Sequence, residues 1–185
     1  ATRKDKKFAD AYYNLGLAYL DLAESGKHSR RNTRRAIRAF QKSTQIDSRL
    51  YNAHIDLADT YRKIADWEKA ILRYRLAIET KPDDPTPWQK LGDLYLEKED
   101  PIKAEECFAN ARRLSPQSSE ALLASGESLI VQKRYAEAIP TFKQILVFDP
   151  KNARAWFDLG YTYGLQGNHQ DAIESYKKAI EIDPD

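Results

Sequence analysis

Residues 153–185 read ARAWFDLGYTYGLQGNHQDAIESYKKAIEIDPD, and residues 85–118, two periods earlier, read PTPWQKLGDLYLEKEDPIKAEECFANARRLSPQS. Three columns of residues recur in the chain at intervals of 34: Pro82, Pro116, Pro150 and Pro184; Ala70, Ala104, Ala138 and Ala172; Tyr61, Tyr95, Leu129 and Tyr163. A fixed period of this length predicts a repeat architecture, in which each unit stacks on its neighbours to bury its apolar face.

The order of residue types within one period is a large residue, Leu-Gly, Tyr, Ala, an aromatic residue, Ala and Pro. The last period shows it in full, with Trp156, Leu159, Gly160, Tyr163, Ala172, Tyr176, Ala179 and Pro184. This order resembles the tetratricopeptide repeat over nearly the whole chain. The resemblance implies an all-α fold, a right-handed α-solenoid of five helix-turn-helix repeats in a single superhelical domain. We divide residues 1–185 into repeats 9–50 (with an eight-residue insertion), 51–84, 85–118, 119–152 and 153–185.

The recurring columns have physical reasons. Small residues occur where two helices must approach closely, at Ala58, Gly92, Gly126 and Gly160. A bulky residue there would overpack the contact, at a cost of roughly 1–3 kcal/mol. The recurring prolines are expected to end the second helix of each repeat, because proline cannot continue its hydrogen bonding. Asp100 followed by Pro101 predicts a helix start, with an N-cap and then proline at the first helical position.

Two regions depart from the pattern. In the first repeat the extra residues lie between Tyr19 and Ala36, where Gly26 is expected to end one helix and Ser29 or Thr33 to cap the next. Eight residues are about two helical turns, so both helices are expected to be longer by one turn. At the other end no further helix follows the last repeat. Apolar side chains there are therefore expected to be partly uncovered, which favours a longer parent array or packing on another copy: Ile173, Tyr176, Ile180 and Ile182.

Composition excludes several classes of protein. Hydrophobic residues make up 42% of the 185 residues and charged residues 31%, which indicates a folded chain rather than a disordered one. No apolar run approaches the roughly 18 residues needed to span a bilayer, and no signal-peptide segment follows the basic N-terminus. A start at Ala1 and the lack of Met favour a processed form or fragment. We expect a cytoplasmic location, with a periplasmic or membrane-attached parent left open.

The resemblance also implies a binding surface, because the first helix of each tetratricopeptide repeat lines the inner wall of the array. Across all inner-facing places there are nine carboxylates against four cations, together with several large apolar residues. Such a surface suits a basic or amphipathic segment of a partner protein. The candidate groove residues are Tyr13, Asn14, Leu17, Ile55, Asp56, Asp59, Gln89, Lys90, Asp93, Leu123, Glu127, Phe157, Asp158 and Tyr161.

Two groove chemistries known in the family are missing from these places. Chaperone-binding members hold a terminal carboxylate with a set of Lys, Asn and Arg residues, and that set does not occur here. The Asn ladder of the sugar-transferring members would occupy the sixth place of each repeat, which instead reads Asn14, Asp56, Lys90, Ala124 and Asp158.

A basic run in the first repeat is the sharpest local charge feature: Arg30, Arg31, Arg34, Arg35 and Arg38. Residues 1–42 contain 11 Lys or Arg against 4 Asp or Glu, a net charge of +7. The run is either a solvated outer face or a patch for an acidic protein, an anionic lipid or nucleic acid. Because no zinc spacing or aromatic-rich sheet signature accompanies it, nucleic-acid binding is disfavoured.

Signals for catalysis, cofactors or metals are lacking. There is no Gly-rich phosphate loop, paired-Cys spacing or nucleophile elbow. His54 is interpreted as a packed helix residue, Cys107 as structural, and Glu105-Glu106 as ordinary surface charge. The sequence therefore predicts a non-enzymatic protein-interaction scaffold or adaptor. Two alternatives stay open: a substrate-recruiting domain of a larger enzyme, and a structural subunit that self-associates through its last repeat.

Overall fold

The helices follow one another in pairs along the chain. The computed structural model describes residues 2–26 and 28–184, and every regular element within them is an α-helix. The ten helices are α1 (Arg3–Glu24), α2 (Ser29–Ile46), α3 (Tyr51–Lys63), α4 (Trp67–Thr80), α5 (Thr86–Glu97), α6 (Pro101–Leu114), α7 (Ser119–Val131), α8 (Tyr135–Phe148), α9 (Ala153–Leu165) and α10 (His169–Ile182). The predicted all-α fold of helix-turn-helix repeats is confirmed.

The helices belong to two compact units. Unit 1 comprises residues 1–83 with α1–α4, and unit 2 comprises residues 84–185 with α5–α10. In both units the two helices of a repeat contact each other. The second helix also contacts the first helix of the following repeat, as α2 does with α3, α6 with α7, and α8 with α9. The core of unit 2 includes a cluster of buried residues from α7, α8 and α9: Leu122, Leu129, Ala138, Phe142, Ile145, Ala155 and Leu159.

The close approach of the two helices within a repeat depends on the column of small residues. A Cβ atom placed on Gly126 would lie 2.4 Å from the Phe142 ring, and one on Gly92 would lie 2.5 Å from Phe108. Both rings are fully buried, so an added Cβ atom would force the ring or the facing helix to shift. The glycines are therefore required by the aromatic residue of the facing helix, which is the role predicted for their column.

Helix ends follow the predicted stop and start signals in unit 2. The Asp100 carboxylate accepts a hydrogen bond from the Lys103 amide at 3.1 Å, and Pro101 is the first residue of α6. In unit 2 each second helix ends two residues before a recurring proline, as α6 does before Pro116 and α8 before Pro150.

The turn inside the later repeats contains a column that the sequence pattern does not show. The backbone is left-handed at Ala65, Glu99, Lys133 and Gly167, which lie 34 residues apart, with φ between 57° and 81°. This conformation ends a helix tightly and suits glycine, because other residues have a Cβ close to the carbonyl oxygen. Only one of the four is glycine, so residue type gave no signal for this column.

The first repeat accommodates its extra residues mostly in its helices. Relative to α3 and α4, α1 ends three residues later, α2 begins four residues earlier, and the segment between them is one residue longer. Gly26 has φ of 83° just after α1 and ends that helix as predicted. The predicted cap of α2 is wrong: His28 is the N-cap residue and Ser29 is already helical. Thr33 donates a hydrogen bond to the Ser29 carbonyl instead of capping.

Candidate peptide-binding site

In unit 1 the predicted groove residues of the first two repeats are joined by a hydrogen bond. The Tyr13 hydroxyl donates to Asp56 Oδ2 at 2.8 Å, and its ring lies 5.9 Å from that of Phe40. Burial, with the neighbouring Asp56 carboxylate, raises the pKa of Tyr13 far above its usual value of 10, so the hydroxyl keeps its proton. Tyr74 likewise donates to Asp59. Both carboxylates therefore already have a structural partner inside the unit.

Ile55 has a different environment from the one expected of a groove anchor. Only 8% of its surface is exposed, so it belongs to the core of unit 1 and offers little to a partner. Asn14 is exposed and Leu17 is partly buried, one turn away on α1. His54, on α3, is buried, as predicted for a packed helix residue, and its Nε2 lies 3.0 Å from the Ser48 carbonyl oxygen.

In unit 2 an arginine links two predicted groove residues, Asp158 and Glu127. Arg154 donates to Asp158 Oδ2 through Nε and to Glu127 Oε1 through Nη2, each at 2.8 Å. Only 6% of the Asp158 side chain is exposed. Burial raises the pKa of Asp158 and of Glu127, while Arg154 acts in the opposite direction on both. Asp158 is thus an internal partner of Arg154 and not a free acidic contact.

The exposed apolar part of the site is on α9. Phe157 is 49% exposed and Tyr161 is 45% exposed, and the two lie one helical turn apart. The Phe157 ring packs at 5.6 Å, centroid to centroid, from the Tyr176 ring of α10. The opposite face of α9 is buried, with Ala155 and Leu159 in the core. The two aromatic side chains are therefore displayed by a fixed helix.

The remaining candidates of unit 2 are partly buried on α5 and α7. Gln89 Nε2 makes a long hydrogen bond of 3.5 Å to Ser118 Oγ, and Leu123 packs against the core cluster. Lys90 and Asp93 are both partly buried and engaged with other residues of the chain. These four side chains are therefore less exposed than those of Phe157 and Tyr161.

The basic run lies on α2 in unit 1. Arg30, Arg31, Arg34 and Arg38 are exposed, and Arg35 is half-buried with its guanidinium 5.5 Å from the Tyr19 ring centroid. The five side chains line one shallow depression. They therefore form one contiguous basic surface on α2, which we call the basic patch.

A buried polar cluster in unit 2 was missed by the sequence interpretation. Glu105, taken as ordinary surface charge, has a side chain that is only 13% exposed and accepts from Arg112 at 3.1 Å. The Ser125 hydroxyl, fully buried on α7, lies 2.8 Å from Glu105 Oε2 and donates to that carboxylate. Burial raises the pKa of Glu105, and the Ser125 hydrogen bond and Arg112 oppose this. We call Glu105, Arg112 and Ser125 the polar triad.

A signal for the polar triad was present in the repeat columns. The column of Glu105 otherwise holds isoleucine, at Ile37, Ile71, Ile139 and Ile173. The column of Ser125 otherwise holds leucine, at Leu15, Leu57, Leu91 and Leu159. Polar residues replacing aliphatic ones at two columns of adjacent repeats indicate a pair that is buried together, since one such residue alone would lack a partner.

Among the described residues, no group of three or more His, Cys, Asp or Glu side chains is arranged to hold a metal ion. Within the same ranges, no helix combines the length and hydropathy that crossing a bilayer requires. Cys107 is buried on α6, in keeping with a structural role.

Paired helices with a 34-residue period and displayed aromatic residues define a helical-repeat interaction protein. Sequence models of the tetratricopeptide repeat match residues 53–87, 90–153 and 153–185, which together make up more than half of the chain. The chain belongs to the tetratricopeptide repeat family. Its repeats and its relatives support a general role as a protein-interaction scaffold.

Three similar proteins illustrate the relationship. Superkiller complex protein 3 of Mus musculus is 29% identical over 191 residues, which cover 100% of this chain and 12% of that protein. The chain thus spans a small part of this curated relative. The crystal structure of YrrB, described as a TPR protein with an unusual peptide-binding site, superposes with a TM-score of 0.71 and 25% identity, covering 90% of this chain and 86% of YrrB. The MamA protein superposes with a TM-score of 0.74 over 92% of both chains, and at 20% identity it shows the fold alone.

Proposed function

We propose that this chain binds a peptide or short helical segment of a partner protein on the first helices of the repeats in unit 2, with Phe157 and Tyr161 as the main anchors. The supporting observation is that two large aromatic side chains stay about half exposed on a helix whose other face is in the core. Aromatic residues on a rigid element give large contact area at low cost in side-chain entropy. The likeness to YrrB, a protein described as having a peptide-binding site, agrees with this proposal.

The partner segment is expected to be amphipathic. Its apolar side chains would pack on the two rings, in the manner of a helix laid in a groove. The acidic attraction for that segment is weaker than the sequence predicts, because Asp158 and Glu127 share Arg154 and Asp56 accepts from Tyr13. Basic residues in the partner would therefore add mainly to the association rate.

The proposal is tested by affinity capture with the intact chain, followed by peptide mapping and titration of the mapped peptide. Phe157→Ala and Tyr161→Ala are each expected to weaken that peptide by roughly 30-fold, about 2 kcal/mol, as for aromatic hot spots. Val147→Ala is the matched control, because Val147 is the more exposed at 82% but lies on the second helix α8. Unchanged affinity in both aromatic variants, with thermal unfolding unaltered, would refute the proposal.

A charge-reversal variant that tests the acidic part of the site must leave the fold intact. Asp59→Lys would remove the acceptor of the Tyr74 hydroxyl, so a weaker interaction would be confounded by a damaged fold. Glu120, exposed on α7, is the cleaner position for a charge reversal. A basic partner segment would lose affinity on Glu120→Lys more at low salt than at high salt.

Self-association is a second candidate, favoured by exposed apolar side chains on α10. Ile173 and Ile180 are exposed as predicted, and Tyr176 and Ile182 are half-buried. A second copy covering them would bury this face. Light scattering over a range of concentrations tests this: a mass that rises with concentration, and that Ile180→Glu keeps at the monomer value, would support the candidate.

A further inference from the structure

The lengthened first repeat forms a pocket that the proposed peptide site does not use. The pocket, with a volume of about 730 Å³, lies in unit 1 between the end of α1, the start of α2 and the turn after α3. Residues 29–32, the extra turn of α2, have no equivalent in α4, and Ser29 and Arg30 from that turn line the pocket. The insertion therefore supplies one wall.

Part of the pocket lining is apolar, and we call this part the floor: Leu20 of α1, Ile37 of α2 and Ile64 of the turn after α3. Ile64 is 49% exposed, so a partner side chain can reach it. Pockets that bind ligands are typically lined by apolar side chains with a few polar groups at defined places. This floor has the size and chemistry to receive an aliphatic side chain.

The charged part of the lining, which we call the rim, has three cations and one carboxylate, Glu24. Two of the cations, Arg30 and Arg34, also belong to the basic patch of α2. Among the described residues, no carboxylate lies within ion-pair distance of either guanidinium. Lys63, also on the rim, is bound to Glu24 at 2.6 Å. No side chain caps the first turn of α2, so the positive end of its dipole adds to the same field.

We propose that this pocket binds an acidic peptide segment, which inserts one aliphatic side chain onto the floor and places carboxylates against Arg30 and Arg34. Arginine pairs with carboxylates in a bidentate geometry, which makes such contacts directional as well as attractive. The site has the opposite charge preference to the groove and is formed by different residues. It would give the chain a second partner, or a second point of attachment on the same partner.

Features of the pocket favour a peptide over the other polyanions. Single-stranded nucleic acid stacks its bases on aromatic side chains, and none of the residues that line the pocket is aromatic. Duplex nucleic acid would contact the arginines through phosphates and leave the apolar floor empty. A bilayer surface is too flat to reach the floor. An acidic segment with one aliphatic residue satisfies both the floor and the rim.

The test uses the intact chain and three fluorescein-labelled peptides, followed by fluorescence anisotropy at low and moderate salt. One peptide has glutamates and aspartates around a central leucine, the second has serine in place of that leucine, and the third has glutamines in place of the acids. The first peptide is expected to bind at least tenfold more tightly than the other two. Arg30→Glu with Arg34→Glu should weaken it about tenfold or more, and Ile64→Ser about threefold.

Matched controls separate the pocket from general charge. Arg75→Glu with Arg113→Glu makes the same change of net charge at exposed positions that do not line the pocket, and should leave the affinity unchanged. Phe157→Ala should also leave it unchanged, since that residue belongs to the other site. Thermal unfolding of each variant checks that the fold is kept.

Several results would overturn the proposal. Equal affinity for the leucine and serine peptides would reduce the pocket to a simple charged patch. So would equal losses in the Arg30/Arg34 and Arg75/Arg113 variants. Tighter binding of a single-stranded oligonucleotide or of phosphatidylserine vesicles, at equal charge concentration, would assign the surface to another class of partner. No binding of the leucine peptide at about 1 mM would remove the site.

Discussion

Replacing the polar triad with Glu105→Ile, Arg112→Leu and Ser125→Leu is expected to stabilise the protein, although it removes every hydrogen bond between these residues. Another repeat of the same chain already has apolar residues at these three columns. At the contact of α8 with α9 the same three columns hold Ile139, Leu146 and Leu159, all packed at the core cluster of unit 2. The triple variant gives the contact of α6 with α7 the same residues.

The magnitude follows from how incompletely the Glu105 carboxylate is compensated. It has lost most of its water, with 13% of the side chain exposed, and it accepts one bond from Ser125 and one from Arg112. An ionised carboxylate has about four acceptor positions, so roughly half are filled within the triad. Replacing a buried ion pair with packed apolar residues typically stabilises by about 1–4 kcal/mol. Removing Arg112 alone should instead cost about 3 kcal/mol, because it leaves a buried charge unpaired.

The gain should depend on pH, with a defined sign. Burial raises the pKa of Glu105 above its usual 4.5, so the folded wild type retains this proton to higher pH than the unfolded chain does. Wild-type stability from this group is therefore fully present below 4.5 and is lost as pH rises through the folded pKa. The triple variant lacks the group, so its advantage should be small near pH 4 and largest near pH 7.

Urea unfolding followed by circular dichroism, at about pH 4 and pH 7, measures both effects. The reverse swap, Ile139→Glu with Leu146→Arg and Leu159→Ser, serves as the control and should destabilise at pH 7. A triple variant that is less stable than wild type at pH 7 would show that the triad is well compensated. An advantage that does not change with pH would show that Glu105 is not responsible for it.

Three further predictions use ordinary stability measurements. Gly126→Ala should destabilise the protein by about 1–3 kcal/mol, because the new Cβ would lie 2.4 Å from the Phe142 ring. Gly164→Ala, whose Cβ would have nothing within 4 Å, should stabilise it by up to about 1 kcal/mol. Equal effects of the two variants in urea unfolding would contradict this. Tyr13→Phe should cost roughly 1 kcal/mol by removing the hydrogen bond from α1 to α3, and a variant as stable as wild type would show that this bond adds nothing. Burial lowers the pKa of His54 below 6.5, so the stability that this residue contributes is present above pH 6.5 and is lost as pH falls through the folded pKa. His54→Leu should therefore make the melting temperature less sensitive to acid. An unaltered dependence of the melting temperature on pH would refute this.

The fold could be predicted from the sequence because its determinants are local and periodic. In the last three repeats the glycine and the aromatic residue that faces it, such as Gly126 and Phe142, are only 16 residues apart. Proline columns then mark where second helices end. The capping of α2 could not be predicted in this way. Ser29 and Thr33 are both good cap residues, yet the helix begins at Ser29 with a left-handed His28 before it.

The candidate site could be predicted only as a set of positions, since exposure depends on what packs beside each one. Ile55 and Phe157 occupy the same place in their repeats, but one is 8% exposed and the other 49% exposed. Ion pairing depends on the surroundings in the same way. Arg154 and Asp158 are four residues apart on one helix, a spacing at which an ion pair can be recognised from the sequence. Its extension to Glu127 joins two repeats and needed the structure.

Departures from the repeat pattern show where this chain differs chemically from a generic array. A residue that follows its column, such as Leu159, is buried and serves only the fold. The eight-residue insertion instead produces a basic pocket whose lining includes the exposed Ile64. On α9, Phe157 occupies the place held by Gln89 and Leu123 in the third and fourth repeats, and Tyr161 occupies the place held there by Asp93 and Glu127. Partner choice should therefore respond to substitutions at these irregular places and tolerate aliphatic exchanges within the regular columns.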